Sequence, residues 1–259
     1  MKILGVGTFG KVLRCLDNRT GAHVAVKVIR AVKKYSESAS FEIEILKRIA
    51  SNNEERLFVQ FHDSFEHNSH VCIATEELGL SLYELLKKNK YHGFSLGQIQ
   101  VLGYQLIKSL EVLHNRIKLI HTDLKPENIL LVEKELLKSD IKRNDHSMYF
   151  PRGMNVRLID FGSAVNNTRP RTSLVCTRQY RPPEVIMGLP WSSSVDMWSA
   201  GCILLELWTG ETLFRTHSTR EHLQLIEYIT QRRIPQLMIE QTKGCVYIRD
   251  VVSGGGGGM

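Results

Sequence analysis

The stretch LIHTDLKPENILLV, residues 119–132, places an aspartate, a lysine and an asparagine within six positions. Aliphatic runs flank these polar residues on both sides, as expected of short buried strands. Polar groups held between buried segments need partners or a function, because burying them alone is costly. The stretch therefore identifies Asp123, Lys125 and Asn128 as candidate functional residues.

The composition is that of an ordinary globular chain, with 259 residues, 42% hydrophobic and 24% charged. This length can bury a sizeable core, as one large domain or as two lobes. No run approaches the roughly eighteen apolar residues of a membrane span, and the amino terminus lacks the layout of a signal peptide. We therefore expect a cytoplasmic or nuclear chain without membrane contact, whose five cysteines are reduced.

The formal net charge of +7 and the pI near 9.2 would suit a nucleic-acid partner. However, lysine and arginine are scattered along the chain, without the interleaved aromatic residues of a single-strand binding surface. A basic surface or a phosphate-bearing ligand explains the charge equally well. We therefore predict no direct contact with nucleic acid.

Two compositions divide the chain. Residues 6–77 contain short β-rich stretches around one helical pattern, SASFEIEILKRIA, in which Phe41, Ile45, Leu46 and Ile49 recur at helical spacing. From Ser81 onward the patterns are helical, at 81–89, 95–116, 194–210 and 219–234, with short strands between the first pair and the second. The expected domains are an amino-terminal lobe over 1–78 with a hinge at 76–78, a carboxy-terminal lobe over 79–253 and a flexible Gly-rich tail over 254–259.

The motif GVGTFGKV, residues 5–12, has the pattern GxGxxGxV. Glycines let a backbone turn sharply and bring its N–H groups close to phosphate oxygens. A dinucleotide-binding fold would need a helix next, but here a strand follows, and Lys27 lies in the apolar stretch VAVKV. A lone charge there is costly unless it is paired, so Lys27 should meet a phosphate and a carboxylate. The alternative is a surface lysine with only its stem buried.

Three further motifs follow in order: HTDLKPEN at 121–128, DFG at 160–162 and PPE at 182–184. With the glycine motif and Lys27, this set resembles the eukaryotic protein kinases over nearly all of residues 3–230. The resemblance implies an α+β, two-lobed, protein-kinase-like fold, with a small β-sheet lobe carrying one main helix and a larger, mainly helical lobe. It also implies ATP and Mg²⁺ as cofactors.

The resemblance assigns roles to the polar residues of the catalytic loop and the DFG motif. Asp123 matches the carboxylate that orients the substrate hydroxyl and accepts its proton, and Lys125 matches the lysine that neutralises the γ-phosphate. Asn128 and Asp160 match the two oxygen ligands of Mg²⁺.

In the small lobe, Lys27 should hold the α- and β-phosphates while paired to a glutamate of the helix. Glu42 and Glu44 are both available, and the family pattern fits EIEIL starting from Glu42, which we choose. The implied nucleotide contacts come from the glycine motif, the adjoining strands, the gatekeeper position, the hinge and the strand after the catalytic loop. They are Leu4, Gly5, Gly7, Gly10, Val12, Ala25, Lys27, Thr75, Glu76, Leu78 and Leu130.

Other matched positions are expected to be structural rather than catalytic. Trp198 and Asp196 resemble the buried anchor of the large lobe, in which the aspartate holds the catalytic-loop backbone. Four residues match the apolar stack that joins the two lobes, which makes the histidine a core residue and not a base: Leu46, Phe61, His121 and Phe161.

Substrate choice is implied by four more positions. Thr177 matches the threonine that serine/threonine kinases place beside the catalytic aspartate, and Glu127 is placed to bind a substrate arginine. Arg181 matches the arginine of the group that contains the cyclin-dependent, MAP and CDC-like kinases. Thr122 replaces the arginine that binds a phosphorylated activation loop in many regulated kinases, so this loop should not need phosphate.

Within that group, the sequence resembles the CDC-like or LAMMER kinases, although EHL at 221–223 is followed by QLIEYI instead of AMMERI. The resemblance implies a nuclear, monomeric, dual-specificity kinase that phosphorylates Arg/Ser-rich splicing factors. Such a domain normally continues past Ile234, so we expect a fragment cut at both ends, with Glu184 unpaired. The alternative is a non-catalytic fragment that binds nucleotide or a partner protein.

Overall fold

The computed structural model describes residues 2–7, 9–143, 146–168 and 171–242. The small lobe is a five-stranded antiparallel sheet in the order β1-β2-β3-β5-β4, with one long helix, α1. Its elements are β1 (Lys2–Val6), β2 (Gly10–Leu16), β3 (His23–Ile29), α1 (Lys33–Ala50), β4 (Phe61–His67) and β5 (His70–Glu76). The predicted small sheet with one helix is therefore present. The predicted tail at 254–259 lies outside the described residues.

Helix α1 begins at Lys33, five residues before the predicted pattern, which starts at Ser38. Of the apolar residues in that pattern, Ile45, Leu46 and Ile49 are buried and Phe41 is 43% exposed. The buried face also carries Glu42, which hydrophobic periodicity cannot identify. Glu42 is buried because it pairs with a lysine of the sheet.

The large lobe contains the four predicted helical regions. Ser81 and Ser95, the first residues of two predicted helical patterns, each begin a helix with a reciprocal capping box. Helix α6 ends at Thr230, four residues before the predicted end, because Gln231 adopts a left-handed conformation with φ 55°. The helices are α2 (Leu82–Lys88), α3 (Leu96–Glu111), α4 (Pro183–Ile186), α5 (Ser194–Thr209), α6 (Thr219–Thr230) and α7 (Gln236–Gln241).

Short strand pairs lie between α3 and α4. They are β6 (Leu119–Ile120) with β11 (Val165–Asn166), β7 (Ile129–Leu131) with β10 (Val156–Leu158), and the hairpin β8 (Leu136–Arg143) with β9 (His146–Pro151). Asn89, after α2, fixes the hairpin to the lobe by two hydrogen bonds with the backbone of Tyr149, of 2.8 and 2.9 Å. The pairs β6–β11 and β7–β10 position the ends of the catalytic loop and of the DFG motif.

The main hydrophobic core runs through both lobes. The stack predicted to join them is buried at Leu46, His121 and Phe161 and half-buried at Phe61. The rings of His121 and Phe161 lie 5.1 Å apart, and Phe58 meets Phe161 edge to face at 5.9 Å. In the described part of the chain, no helix is both long and apolar enough to cross a membrane.

Glu184, expected to be unpaired, is half-buried at the start of α4. Among the described residues, no ion pair reaches its carboxylate. Burial raises the pKa of Glu184 above its usual value. The helices of the large lobe also expose large apolar side chains, among them Tyr104 at 72% and Trp208 at 56%.

Candidate active site

The catalytic-loop residues form one hydrogen-bonded group. One carboxylate oxygen of Asp123 accepts from the Thr177 hydroxyl at 2.7 Å, and the other accepts from the Lys125 ammonium at 2.6 Å. The Lys125 ammonium also lies 3.4 Å from the Thr177 hydroxyl oxygen. Thr177 is 54 positions from Asp123 in sequence, so the fold brings a loop hydroxyl to the carboxylate. The carboxylate is partly open to solvent, at 22% side-chain exposure.

Asp196 of α5 binds the backbone of this loop. Its carboxylate accepts from the backbone N–H of His121 at 2.7 Å and of Thr122 at 2.9 Å, and contacts Nε2 of His114 at 2.8 Å. Asp196 is fully buried. It therefore acts as the predicted anchor, since it fixes the two peptide groups immediately before Asp123.

The buried lysine of the sheet meets two carboxylates. Nζ of Lys27 lies 2.8 and 2.9 Å from the two oxygens of Glu42 and 3.3 Å from the carboxylate of Asp160. Glu44 is exposed and forms no ion pair with any residue that the structure describes, so the geometry selects Glu42 as the pattern predicted. The alternative that Lys27 is a surface lysine is wrong, because only 25% of its side chain is exposed and its ammonium is paired with Glu42.

Charge and burial compete at this cluster. Burial by itself lowers the pKa of Lys27, but the carboxylates of Glu42 and Asp160 outweigh it and raise that pKa above the usual value. Burial raises the pKa of Glu42 against the opposing effect of Lys27. Burial raises the pKa of Asp160, but the nearby positive groups, with Lys27 first among them, together outweigh burial, so its pKa is lowered. The two-oxygen contact between Lys27 and Glu42 is the geometry of an ionised pair.

Asn128 and Asp160, the predicted Mg²⁺ ligands, both have side-chain oxygen atoms that could bind a metal ion. Nδ2 of Asn128 donates to the backbone carbonyl of Asp123 at 2.9 Å, which leaves its amide oxygen for another ligand. Asp160 has an unusual φ of 61° and a side chain that is 44% exposed. The described residues contain no group of three or more His, Cys, Asp or Glu that could hold a metal alone. Two oxygen donors fit Mg²⁺, which commonly takes one or two protein ligands and the phosphates of its substrate.

The predicted adenine slot lies between the lobes. The strand register puts Val12 and Lys27 opposite each other, and Ala25 opposite Thr75, on one face of the small sheet. Leu130, in β7, belongs to the large lobe and is half-buried. Gly79, the residue directly after the hinge, is fixed to β7 of the large lobe, since its N–H donates to the Leu131 carbonyl at 2.8 Å.

The glycine loop is a turn between β1 and β2. Gly7 N–H donates to the Gly10 carbonyl at 2.9 Å. A Cβ at Gly10 would lie 2.0 Å from the carbonyl oxygen of Val28, so only glycine permits this approach of β2 to β3. A Cβ at Gly5 or Gly7 would meet nothing within 4 Å, so these positions leave the space beneath the loop open. Leu4 precedes them and is 39% exposed.

Sequence reasoning missed a charge cluster at the hinge. The carboxylate of Glu77 lies 2.7 Å from Arg14 of β2 and 2.7 Å from Lys134 of the large lobe. Only 7% of the Glu77 side chain is exposed, and the two cations lower its pKa although burial raises it. This cluster connects both lobes to the hinge. The sequence gives only a weak indication of this cluster, because its three charged residues lie far apart in the chain and no local pattern connects them.

The activation segment is held by backbone contacts. The Thr122 hydroxyl donates to the Ser163 carbonyl at 2.8 Å, and Cys176 N–H donates to the Thr122 carbonyl at 2.9 Å. The guanidinium of Arg181, predicted at the substrate position, donates to the carbonyls of Val175 at 2.9 Å and Cys176 at 2.8 Å. Its described contacts are therefore with the segment itself. Glu127 is exposed in the turn Pro126–Asn128.

The fold and this site define the class of the protein. The chain belongs to the protein kinase domain family, whose sequence profile matches residues 1–245. A crystal structure of the kinase domain of PF14_0431 superposes with a TM-score of 0.84 and is 40% identical, covering 92% of this chain and 72% of that one. The predicted two-lobed fold is thus confirmed.

The similar proteins include CDC-like kinases, which confirms the predicted resemblance. Serine/threonine-protein kinase AFC3 of Arabidopsis thaliana is 47% identical over 230 residues, covering 86% of this chain and 57% of that protein. Dual specificity protein kinase lkh1 of Schizosaccharomyces pombe is 45% identical, covering 88% and 33%. Dual specificity protein kinase CLK4 of Homo sapiens is 43% identical, covering 93% and 50%. The chain spans about half the length of these relatives or less.

Proposed function

We propose that this chain transfers the γ-phosphoryl group of ATP to serine and threonine hydroxyls of proteins, with tyrosine as a further acceptor. The observation that carries the proposal is the joint presence of two clusters, Asp123 with Lys125 and Thr177, and Lys27 with Glu42 and Asp160. The similarity to kinases named as serine/threonine and dual-specificity enzymes supports it.

The residues divide the work of the reaction. When bound, ATP supplies the phosphoryl group, and Mg²⁺ would neutralise its charge at Asn128 and Asp160. Lys27, held in place by Glu42, would position the α- and β-phosphates. Asp123 would orient the acceptor hydroxyl and take its proton as the new oxygen–phosphorus bond forms and the bond to ADP breaks. Lys125 would stabilise the charge on the transferred group.

Thr177 supports the choice of serine and threonine. Its hydroxyl donates to the Asp123 carboxylate at 2.7 Å, so it fixes the rotamer of that side chain and borders the space in front of it. Because Lys125 contacts the other oxygen of Asp123, the carboxylate is oriented from two sides before any substrate arrives. Such preorganisation reduces the reorganisation needed at the moment of transfer.

We further infer that the substrates are Arg/Ser-rich proteins such as splicing factors, that the site of action is the nucleus and that the chain acts as a monomer. Glu127 supports the arginine preference, because its carboxylate is exposed four positions after Asp123. The buried Glu206 is not available in the same way, since Tyr180 and Thr212 already donate to it. The chain as a whole is net basic, so a basic substrate would have to be bound by a local acidic group, and Glu127 is that group in this proposal.

A transfer assay tests this function. The chain is incubated with radiolabelled ATP, Mg²⁺ and an Arg-Ser repeat peptide or a matched Lys-Ser peptide, with Lys27→Met as the inactive control. We expect label on the Arg-Ser peptide, and a KM for this peptide about tenfold higher in Glu127→Gln, equal to about 1.4 kcal/mol. Glu135→Gln, an exposed carboxylate outside the loop, should leave KM unchanged.

The outcomes of this assay separate the alternatives. Nucleotide binding without label on any peptide would support the non-catalytic fragment instead. If both peptides are labelled, and KM is the same in wild type and Glu127→Gln, the proposed kinase activity is supported. The proposed arginine-binding role of Glu127 is then contradicted.

The hydrogen bonds of the activation segment lead to a separate prediction. Thr122 is 2% exposed and needs only its bond to the Ser163 carbonyl, whereas a buried arginine would need an anion. We expect the chain, once mass spectrometry shows that all phosphate has been removed from it, to keep most of its initial rate of phosphoryl transfer. A loss of tenfold or more, about 1.4 kcal/mol, that prior incubation with ATP restores would show that the segment is gated by phosphate.

A further inference from the structure

Arg48, near the end of α1, contacts the large lobe at two points. Its Nη1 donates to the side-chain oxygen of Asn166 at 2.8 Å, and its Nη2 donates to the backbone carbonyl of Ile117. These partners are 118 and 69 positions away in sequence. One small-lobe guanidinium therefore spans two separate segments of the large lobe.

The carbonyl of Ile117 is a suitable acceptor for a cation. It follows the π-helical turn Val112–Arg116, which continues α3. The last carbonyls of a helix have no intrahelical partner, and the helix dipole places partial negative charge there. A planar guanidinium can donate to this carbonyl and to a second acceptor at once, which a lysine cannot do in the same geometry.

The second acceptor belongs to the start of the activation segment. Asn166 lies six positions after Asp160, in β11, and pairs with Leu119 of β6. Asn167 continues this attachment, because its N–H donates to the Lys118 carbonyl at 2.9 Å. Arg48 can reach both acceptors only while β11 is paired with β6.

Helix α1 connects Arg48 to the ion pair of the site. Glu42 precedes Arg48 by six positions, which is about 9 Å along a helix axis. Ile45, Leu46 and Ile49, between and beside them, are buried against the core, so this part of α1 moves as one unit. A displacement of its end at Arg48 would therefore displace Glu42 relative to Lys27.

We propose that Arg48 is a positioning residue that couples the placement of the activation segment to the Lys27–Glu42 ion pair. This inference rests on the proposed kinase function. Another link near the same place is weaker, because the exposed carboxylate of Glu55 lies 3.7 Å from Lys108 and 3.8 Å from Arg116. Glu55 also follows α1 instead of lying on it.

The first measurement is kinetic. Arg48→Ala should lower kcat about tenfold, equal to about 1.4 kcal/mol, with a smaller effect on the KM for ATP. Lys47→Ala is the matched control, since Lys47 is the neighbouring exposed cation and forms no described ion pair. Asn166→Ala should lower kcat less, and the double variant Arg48→Ala/Asn166→Ala should be no slower than Arg48→Ala, because the two residues act as one contact.

The second measurement reads the ion pair without turnover. Lys27 is labelled at one fixed pH by an adenosine that carries an electrophilic 5′-sulfonyl fluoride, and the rate of its modification is followed by mass spectrometry. The two oxygens of Glu42 hold the Lys27 ammonium at 2.8 and 2.9 Å. Moving Glu42 away should therefore free the Lys27 amine and raise its labelling rate in Arg48→Ala, in the same direction as in Glu42→Gln. Lys47→Ala and Glu55→Gln should keep the wild-type labelling rate.

The outcomes are decisive in both directions. Arg48→Ala with the Lys27 labelling rate and the kcat of Lys47→Ala would overturn the coupling. If Arg48→Ala is too unstable to assay, Arg48→Gln keeps most of the side-chain volume and should raise the labelling rate in the same direction, and an unchanged rate there overturns the inference. A wild-type chain that transfers no phosphate would overturn the proposed function, while the labelling rate still decides the role of Arg48.

Discussion

Asp123→Asn is expected to lower kcat by about 10²–10⁴-fold, the usual contribution of a general base. The amide cannot accept the hydroxyl proton, yet it keeps the size of the carboxylate and one of its two acceptor oxygens, with an NH2 donor in place of the other. It can still donate to the Thr177 hydroxyl and accept from Lys125, the two partners of Asp123. The KM for ATP should change little, because the proposed phosphate contacts belong to the separate cluster of Lys27 and Asp160.

The measurement is steady-state kinetics on both proteins, with thermal unfolding as the check on folding. We expect melting temperatures that differ by only a few degrees, since 1 kcal/mol corresponds to roughly 2–4 °C at this size. Asp63→Asn, an exposed carboxylate in β4, is the matched control and should keep full activity. A variant Asp123→Asn with at least a tenth of wild-type kcat would remove Asp123 from the role of base.

Asp196→Ala is expected to cost about 3–5 kcal/mol of unfolding free energy, as for a buried charged group whose partners are left without it. The substitution removes the acceptor of two backbone N–H groups, those of His121 and Thr122, and the partner of the His114 ring. Because Asp196 is fully buried, its removal leaves these donors without their acceptor inside the lobe.

Urea denaturation measures the loss in stability, and activity at low temperature measures the loss of loop position. We expect both to fall in Asp196→Ala. The exposed Asp63 of β4 supplies the control: Asp63→Ala should change stability by no more than about 0.5 kcal/mol. Equal urea midpoints for the two variants would contradict the anchoring role of Asp196.

The sequence by itself determined the ordered set of motifs and, through it, the class of protein. The predicted catalytic residues lie close together in the sequence or follow one another in a fixed order. The loop at 121–128, the DFG motif and the glycine motif can therefore be recognised from the sequence alone. The choice of Glu42 over Glu44 also followed from a local pattern, and the 2.8 Å contact with Lys27 agrees with it. Helix starts at Ser81 and Ser95 were predictable because capping is a local interaction.

Hydrophobic periodicity failed where a polar contact decided burial. It grouped Phe41 with Ile45, Leu46 and Ile49, whereas the tertiary structure leaves Phe41 43% exposed and buries Glu42, whose carboxylate reaches Lys27. It also gave no sign of the hairpin β8–β9, which depends on pairing within itself and on Asn89, 60 positions from Tyr149.

Only the tertiary structure decided which distant groups meet. Thr177 reaches Asp123, Glu77 joins Arg14 to Lys134, and Arg48 reaches Asn166 across 118 positions. No local pattern encodes these contacts, because each depends on how the strand pairs and helices pack around the shared core. The sequence thus determined which chemical groups the site contains, and the packing of the two lobes decided which of them touch, because contact distances are set by the whole fold.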